Sequence, residues 1–293
     1  TFAPIFFGSA VTLAIILTLP LLSLVKRGKF MFYGVLFAAV IGVLSTLSRG
    51  AWVGLAGAGV LYILTGQKAV QRLFKFGGVA IVGMTAGLFS PFGRTIADLL
   101  PFIGGRDQET IDYRFDLLNI SLEVLSEKPL FGGIDVYEHP KMQVLIQGQG
   151  IIDVVNSYLQ IAFEVGYVGL AFYLGAHLCA LSMIWSAFKK ARSFAPELAE
   201  LCRGVFVALA ALMAMMAITS SSAQTEQIDW FLTGFAVAVA RVVRARELSV
   251  EGLAPAAAPV DPAVEESVEP ASKKYPAPTA LPVHLRQYVR RET

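Results

Sequence analysis

The sequence predicts an all-α fold: a polytopic transmembrane helix bundle of about seven spans that carries one large external, partly helical loop. Three observations predict it. The mean hydropathy is +0.62, and 55% hydrophobic against 16% charged residues sets the chain apart from ordinary soluble domains, where about a quarter of residues are charged. Seven apolar runs approach or exceed the roughly 17 to 25 residues that cross a hydrocarbon core. Lys and Arg collect in the segments that such spans would leave on one side of a bilayer.

Four runs precede the loop: Pro4 to Val25, Phe30 to Leu47, Ala51 to Thr65 and Phe76 to Phe92. Three follow it: Ser157 to Phe188, Gly204 to Ser222 and Trp230 to Val243. The third and seventh are short. Gly54, Ala56, Gly57, Ala58 and Gly59 suit the third run to close helix packing in lipid. The domain organisation expected from these runs is membrane helices in 1–92, a large loop in 93–155, membrane helices in 156–246 and a tail in 247–293.

Cationic residues fall into four groups: Lys26, Arg27 and Lys29; Lys68, Arg72 and Lys75; Lys189, Lys190, Arg192 and Arg203; Arg241, Arg244 and Arg246. Seven spans put all four on one side, the cytoplasmic one by the positive-inside rule. The interval Gly93 to Val155 lies opposite and holds ten acids against five bases, a net −5, which leaves +7 for the rest of a chain whose formal charge is +2. The loop is therefore expected outside, which in a bacterium means the periplasm, with a multi-pass chain in the inner membrane and a cytoplasmic tail. From Glu247 onward the chain is rich in Pro, Ala and Glu without apolar periodicity, the composition of a disordered segment. Thr1 opens inside an apolar stretch, so a C-terminal portion of a longer membrane protein is expected.

Cys179 and Cys202 lie outside the loop, and His139, His177 and His284 show no ligand spacing, so neither a loop disulfide nor a metal site is predicted. Nothing points to a nucleic-acid partner or a cofactor.

Within the loop, helical periodicity puts Ile111, Phe115, Leu118, Leu122 and Leu125 on one stripe, and Tyr113, Leu117, Ile120 and Val124 on a second. Asp112, Asp116, Asn119 and Glu123 form a polar face. Arg114 falls between the two apolar stripes and has no carboxylate three or four residues away. It is either one half of an inter-helix salt bridge or an anion contact, because a guanidinium grips phosphate through two parallel hydrogen bonds. Pro129, Gly132 and Gly133 stop the helix, and Ile134 to Gly150 reads as an irregular stretch able to act as a lid.

Asp153, Asn156, Gln160 and Glu164 then share one helical face at spacings of three, four and four. On a straight helix Glu164 lies about 12 Å beyond Asn156, at a depth where a carboxylate is either paired with another helix or lines a wet cavity. Arg49, between the second and third runs, either snorkels to headgroups or joins Arg114, Asp153 and Glu164 in a membrane-level pocket.

Three segments in this order resemble one family: Ser48-Arg-Gly-Ala-Trp52; Tyr113-Arg114 followed by Glu127-Lys-Pro-Leu-Phe-Gly132; and Asn156-Ser-Tyr-Leu-Gln160 with Glu164-Val-Gly-Tyr-Val-Gly-Leu170. The likeness is to the O-antigen ligase and polysaccharide polymerase superfamily, multi-spanning enzymes that handle undecaprenyl-diphosphate-linked glycans. The resemblance implies a metal-independent glycosyltransferase of surface polysaccharide biosynthesis, with a glycan or lipid A core as acceptor and several further N-terminal spans. It implies that Arg49 and Arg114 bind the donor diphosphate. Where the family often has His before the Asn of the third segment, this chain has Val155. That departure leaves Glu164 and Asp153 as candidate bases beside Asn156, with His139 third, and makes the pattern look more like a capsule or exopolysaccharide polymerase. Two other classes stay open: a transporter or flippase of an amphiphilic glycolipid, and a non-catalytic assembly protein whose acidic loop docks partners.

Overall fold

The computed structural model describes residues 4–23, 28–66, 68–90, 108–146, 150–220, 223–250 and 252. The chain divides into two compact units, Thr1–Glu247 and Leu248–Thr293, and the second lies almost wholly outside the described residues, as do the first part of the large loop and the basic residues Lys26 and Arg27. Among the described residues all regular structure is helical. The helices are α1 (Pro4–Thr18), continued by a 3-10 turn at Leu19–Ser23, α2 (Lys29–Ser45), α3 (Arg49–Leu64), α4 (Ala69–Leu88), α5 (Gln108–Leu125), α6 (Pro140–Gln143), α7 (Ser157–Phe194), α8 (Pro196–Met216) and α9 (Ala223–Val250), with a second 3-10 turn at Ile134–Glu138.

Each of the seven apolar runs lies on a helix, but three helical stretches among the described residues are long and apolar enough to cross a membrane: Pro4–Leu22, Ser157–Phe194 and Pro196–Met216. Lys29–Ser45 and Gly50–Leu64 are apolar but shorter.

At the centre stands α8, apolar around most of its circumference as a surrounded helix must be; Cys202, Val205, Val207, Ala208, Leu209, Leu212, Met215 and Met216 are all buried. Small residues let its neighbours approach. A methyl group on Gly50 would meet Thr219 Cγ2 at 2.7 Å, one on Gly54 would enter the Met215 side chain, and one on Gly204 would meet Pro20 Cγ at 2.5 Å. At the other end of α3, the Arg203 guanidinium stacks 4.0 Å from the Tyr62 ring and pairs with Glu200 at 2.5 Å. These contacts run α3 antiparallel to α8 and define two ends of the bundle, one at Arg49 and Thr219, the other at Tyr62 and Arg203. The outer helix α2 buries Val43 alone and exposes Phe30, Met31, Phe37 and Ile41, the surface expected of a helix that faces lipid.

A second, separate core belongs to the loop. Leu117, Val124 and Leu125 of α5, Val136, Met142, Leu145 and Val154 pack on Leu159, Ala162 and Phe163 from the start of α7. The stretch expected to be irregular is thus ordered through the 3-10 turn, α6 and buried Val136, Met142 and Leu145, with 147–149 outside the described residues. Of the two apolar stripes predicted on α5, the structure buries Leu117 and Val124 of the second and only Leu125, at the end of the helix, of the first, and leaves Phe115, Leu118 and Leu122 exposed. The beginning of α7 covers one side of α5 only.

Candidate functional site

The site takes shape where α7 begins. Asn156 is its N-cap: the side-chain Oδ1 accepts from the backbone N–H groups of Tyr158 at 3.0 Å and Leu159 at 3.2 Å, two of the four donors a helix start leaves open. Ser157 Oγ donates to the Thr219 carbonyl at 2.9 Å, and Ser220 Oγ donates to Asp153 Oδ1 at 2.5 Å. Asp153 therefore precedes the helix instead of lying on it, and the four-residue polar stripe is shortened to Asn156, Gln160 and Glu164. Tyr113 donates its hydroxyl to the Asp153 carbonyl at 3.0 Å, which fixes α5, and Arg114 beside it, to the same junction. Arg114 is exposed, and no carboxylate comes within 4 Å of it among the described residues. Arg49 opens α3 at this end of the bundle, next to the Gly50 that faces Thr219.

Glu164 stands apart. Its Oε1 accepts from Gln160 Nε2 at 3.2 Å, the i,i+4 partner that the spacing predicts, but it is exposed and eight residues, about 12 Å, along the helix from Asn156. It does not descend into a bundle. Two residues later, Gly166 adopts φ 68° and ψ −174° and breaks α7. On a straight helix Tyr158 and Tyr173 would be about 22 Å apart along the axis, yet their ring centroids are 6.3 Å apart. The helix folds at Gly166 into an arm, 157–165, and a shaft, 167–194.

A break of this kind strands backbone groups, and the loop takes them up. Phe163 C=O accepts from Gly133 N–H at 2.7 Å; Tyr167 N–H donates to Pro129 C=O at 2.8 Å, and Val168 N–H to Leu130 C=O at 3.2 Å. The bonds Phe163 would have made with Tyr167, and Glu164 with Val168, are replaced by bonds to residues 129–133. The second and third sequence segments are thereby clasped to each other. Tyr137, whose ring meets Phe163 edge-on at 5.7 Å, lies near Glu164; burial, then the Glu164 charge, pushes its phenol up to about 12, so it is a neutral neighbour. His139 is spoken for: Nδ1 caps α6 by accepting from Lys141 N–H at 3.2 Å, and Nε2 faces Glu127 at 3.4 Å.

Beneath the elbow lies a cluster that sequence reasoning missed. His177 and Asp229 are 0% and 1% exposed. His177 Nε2 is 2.8 Å from Asp229 Oδ2, which also accepts from the Tyr173 hydroxyl at 2.5 Å. His177 Nδ1 is 2.8 Å from the Tyr173 carbonyl, which can only accept, so Nδ1 carries a hydrogen and one more proton is shared between Nε2 and the carboxylate. The pair is neutral as a unit, which is how a buried Asp survives. Asp229 Oδ1 and Thr233 Oγ1, one turn apart on α9, have no hydrogen-bond partner among the described residues. The 52-residue separation hides the pairing; the available signal was one ionisable residue inside an apolar run, His177, and another at the edge of one, Asp229, which look for each other in a membrane.

An apolar groove of about 210 Å³ between α3 and α8, lined by Val53, Gly54, Gly57, Leu61, Ala214 and Met215, begins one turn from Arg49. Among the described residues no group of His, Cys, Asp and Glu is placed to hold a metal ion.

The model of the O-Antigen ligase family matches residues 34–174, just under half of the chain. That span contains Arg49, Arg114, Asp153, Asn156, Glu164 and the elbow glycine; His177 and Asp229 lie beyond it. No curated protein matches the chain.

Proposed function

We propose, from the premise that residues 34–174 carry an O-antigen ligase domain, consistent with a member of the ligase and polymerase superfamily, that this protein transfers or polymerises undecaprenyl-diphosphate-linked glycan on the periplasmic face of the bacterial inner membrane. The observation that carries the reading is the junction at Asp153. Its side chain is tied to Ser220, just past the end of α8, and its carbonyl to α5 through Tyr113, at the end of the bundle where α3 starts with Arg49. One carboxylate and two arginine-bearing helices converge there.

In this reading Arg49 and Arg114 hold the donor diphosphate. As the acceptor hydroxyl oxygen bonds to the sugar C1, the C1–O bond to phosphate breaks and the departing lipid diphosphate keeps the electron pair. Guanidinium groups held there stabilise that charge without reorganisation. The hydroxyl proton passes to Asp153, the carboxylate at this junction. Glu164, at the far end of the arm, binds the acceptor chain. The groove beside α3 receives the first part of the lipid tail. Asn156, with Oδ1 engaged in capping, sets the arm.

The test is incubation of the protein in proteoliposomes with a lipid-diphosphate glycan, followed by mass spectrometry of the products. Glycan lengthened on the carrier identifies a polymerase; glycan moved to lipid A core or protein identifies a ligase. Arg49→Ala with Arg114→Ala is expected to abolish either product at unchanged protein abundance, and normal transfer by that double variant would overturn the assignment.

One observation favours a second reading, transport of an amphiphilic glycolipid: the buried His177 and Asp229 pair is the kind of intramembrane charge that transporters use. Supplying donor already on the outer leaflet separates the two, since transfer from that pool needs no flipping.

A further inference from the structure

We propose that residues 129–134 form a membrane anchor, an apolar tip seated in the headgroup and upper acyl region of the lipid bilayer beside the start of the α7 shaft. The inference rests on reading α7 as membrane-spanning and is independent of the transfer reaction.

The tip is apolar yet turned outward. Leu130, Phe131 and Ile134 are 58%, 73% and 80% exposed, and none belongs to the loop core. An exposed cluster of this sort marks an interaction surface more often than chance. What covers it follows from where it is held. The tip is hydrogen-bonded to Tyr167 and Val168, the first residues of the shaft. From 167 to 194 the shaft runs 28 residues, about 42 Å, more than a hydrocarbon core of about 30 Å requires. Lys189, Lys190 and Arg192 hold its far end out of the hydrocarbon, so the stretch 167–188, about 33 Å, crosses it and the first turn stands at the bilayer boundary. Val165 and Tyr167 flank the elbow at 46% and 42% exposure, and Phe172, one turn further on, is 77% exposed. Tip and shaft make one continuous apolar surface, and a membrane-spanning helix guarantees that lipid lies against it.

Two further features suit this surroundings. Backbone polar groups entering lipid need internal partners, and here Pro129 has no N–H, Pro129 and Leu130 carbonyls accept from the shaft, Gly132 N–H donates to Lys128 C=O, Gly133 N–H donates to Phe163 C=O, and Gly133 C=O accepts from Val136 N–H. Charges close the base of the tip: Lys128 pairs with Asp135 across it, and that ammonium holds the Asp135 carboxyl below its ordinary value. Six apolar or glycine residues are thus bounded by a charged collar that stays in water or among headgroups.

The anchor fixes the height of the elbow, and with it the arm that carries Glu164 and Asn156. The test places a nitroxide on Phe131→Cys in a Cys179→Ser background, where the remaining Cys202 is buried, in phosphatidylcholine and phosphatidylglycerol liposomes. Asp116→Cys, exposed on α5, is the water reference. Oxygen is expected to relax the label at 131 more than a water-soluble nickel complex does, with the reverse at 116. Equal nickel access at both positions would overturn the anchor, as would a label at 131 reached by neither agent, which would mean a protein segment or a second copy covers the tip. Ile134→Cys repeats the measurement should Phe131→Cys fail to fold.

Discussion

Gly132 and Gly166 face each other so closely that neither can carry a side chain. A methyl on Gly132 would sit 2.8 Å from Gly166 N and inside the contact distance of the Phe163 carbonyl oxygen, while a methyl on Gly166 would enter the Leu130 carbonyl. Both also have positive φ, 61° and 68°, a region that costs an L-residue about 1 to 2 kcal/mol. Gly132→Ala and Gly166→Ala are each expected to destabilise the protein by roughly 2 to 5 kcal/mol, the φ cost plus overpacking of about 1 to 3 kcal/mol. Thermal unfolding in detergent checks this. Faster amide exchange at Tyr167 and Val168 in both variants locates the damage at the clasp, and unchanged exchange there would contradict it.

Asn156 separates a structural from a chemical role cleanly. Its Oδ1 accepts two backbone N–H bonds, so Asn156→Ala should cost about 1 kcal/mol. Asn156→Ser, which also caps, should return most of that stability and keep transfer within a few-fold of the parent. A Ser variant that is stable but inactive would show that the amide itself touches substrate.

The sequence makes the helices and their order legible because apolar periodicity is local. It also groups Arg49, Asp153 and Asn156, which fall at the starts of α3 and α7, with Arg114, whose neighbour Tyr113 ties α5 to the same junction. The elbow escaped because Glu164 was extended along an ideal helix: Gly166 in Val-Gly-Tyr reads as an ordinary small residue in a membrane span, and only the approach of Gly132 from 34 positions earlier gives its positive φ a purpose. The Tyr173, His177 and Asp229 cluster escaped for the same reason. Its members are unremarkable one by one, and the pairing is a property of how α7 and α9 pack.

That cluster predicts an asymmetry between two substitutions. Asp229→Ala strands His177 Nε2 and the Tyr173 hydroxyl in a buried site, a loss of about 3 to 5 kcal/mol by analogy with broken buried pairs. Both bonds meet at Oδ2, so Asp229→Asn places an N–H there for a neutral His177 while the Tyr173 hydroxyl is left to Met216 Sδ, 3.5 Å away; the loss should be about 1 kcal/mol, the net worth of the one hydrogen bond given up. Glycan transfer by the Asn variant should persist. A stable Asn variant without activity would favour the transport reading, which needs an ionisable carboxylate.

The Lys128 and Asp135 collar predicts how the tip responds to acid. Lys128 lowers the folded-state value of the Asp135 carboxyl below the ordinary 3.8. A depressed carboxylate contributes stability that is fully present above its unfolded value and is lost as pH falls through its folded one. A spin label at position 131 should keep one mobility from neutral pH down past 3.8 and loosen only below it. Asp135→Asn should be looser already at neutral pH and flat through that window; a parent that loosens well above 3.8 would mean another group closes the tip.

The two carboxylates make the sharpest separation of roles. Asp153 is joined to the Arg114 helix through Tyr113 and to Ser220, next to the Thr219 that Gly50 of the Arg49 helix faces, whereas Glu164 lies about 12 Å along the arm from Asn156, too far to reach a hydroxyl attacking a sugar held at the Arg49 end. Asp153→Asn is therefore expected to lower kcat about 10²- to 10⁴-fold, the range for loss of a general base, with little change in the acceptor KM. Glu164→Gln should raise the acceptor KM and largely spare kcat, since an interaction equal in ground and transition states moves KM alone. Initial rates over a range of acceptor concentrations measure both. The opposite pattern would make Glu164 the base, and the elbow would then have to close toward Arg49 before transfer.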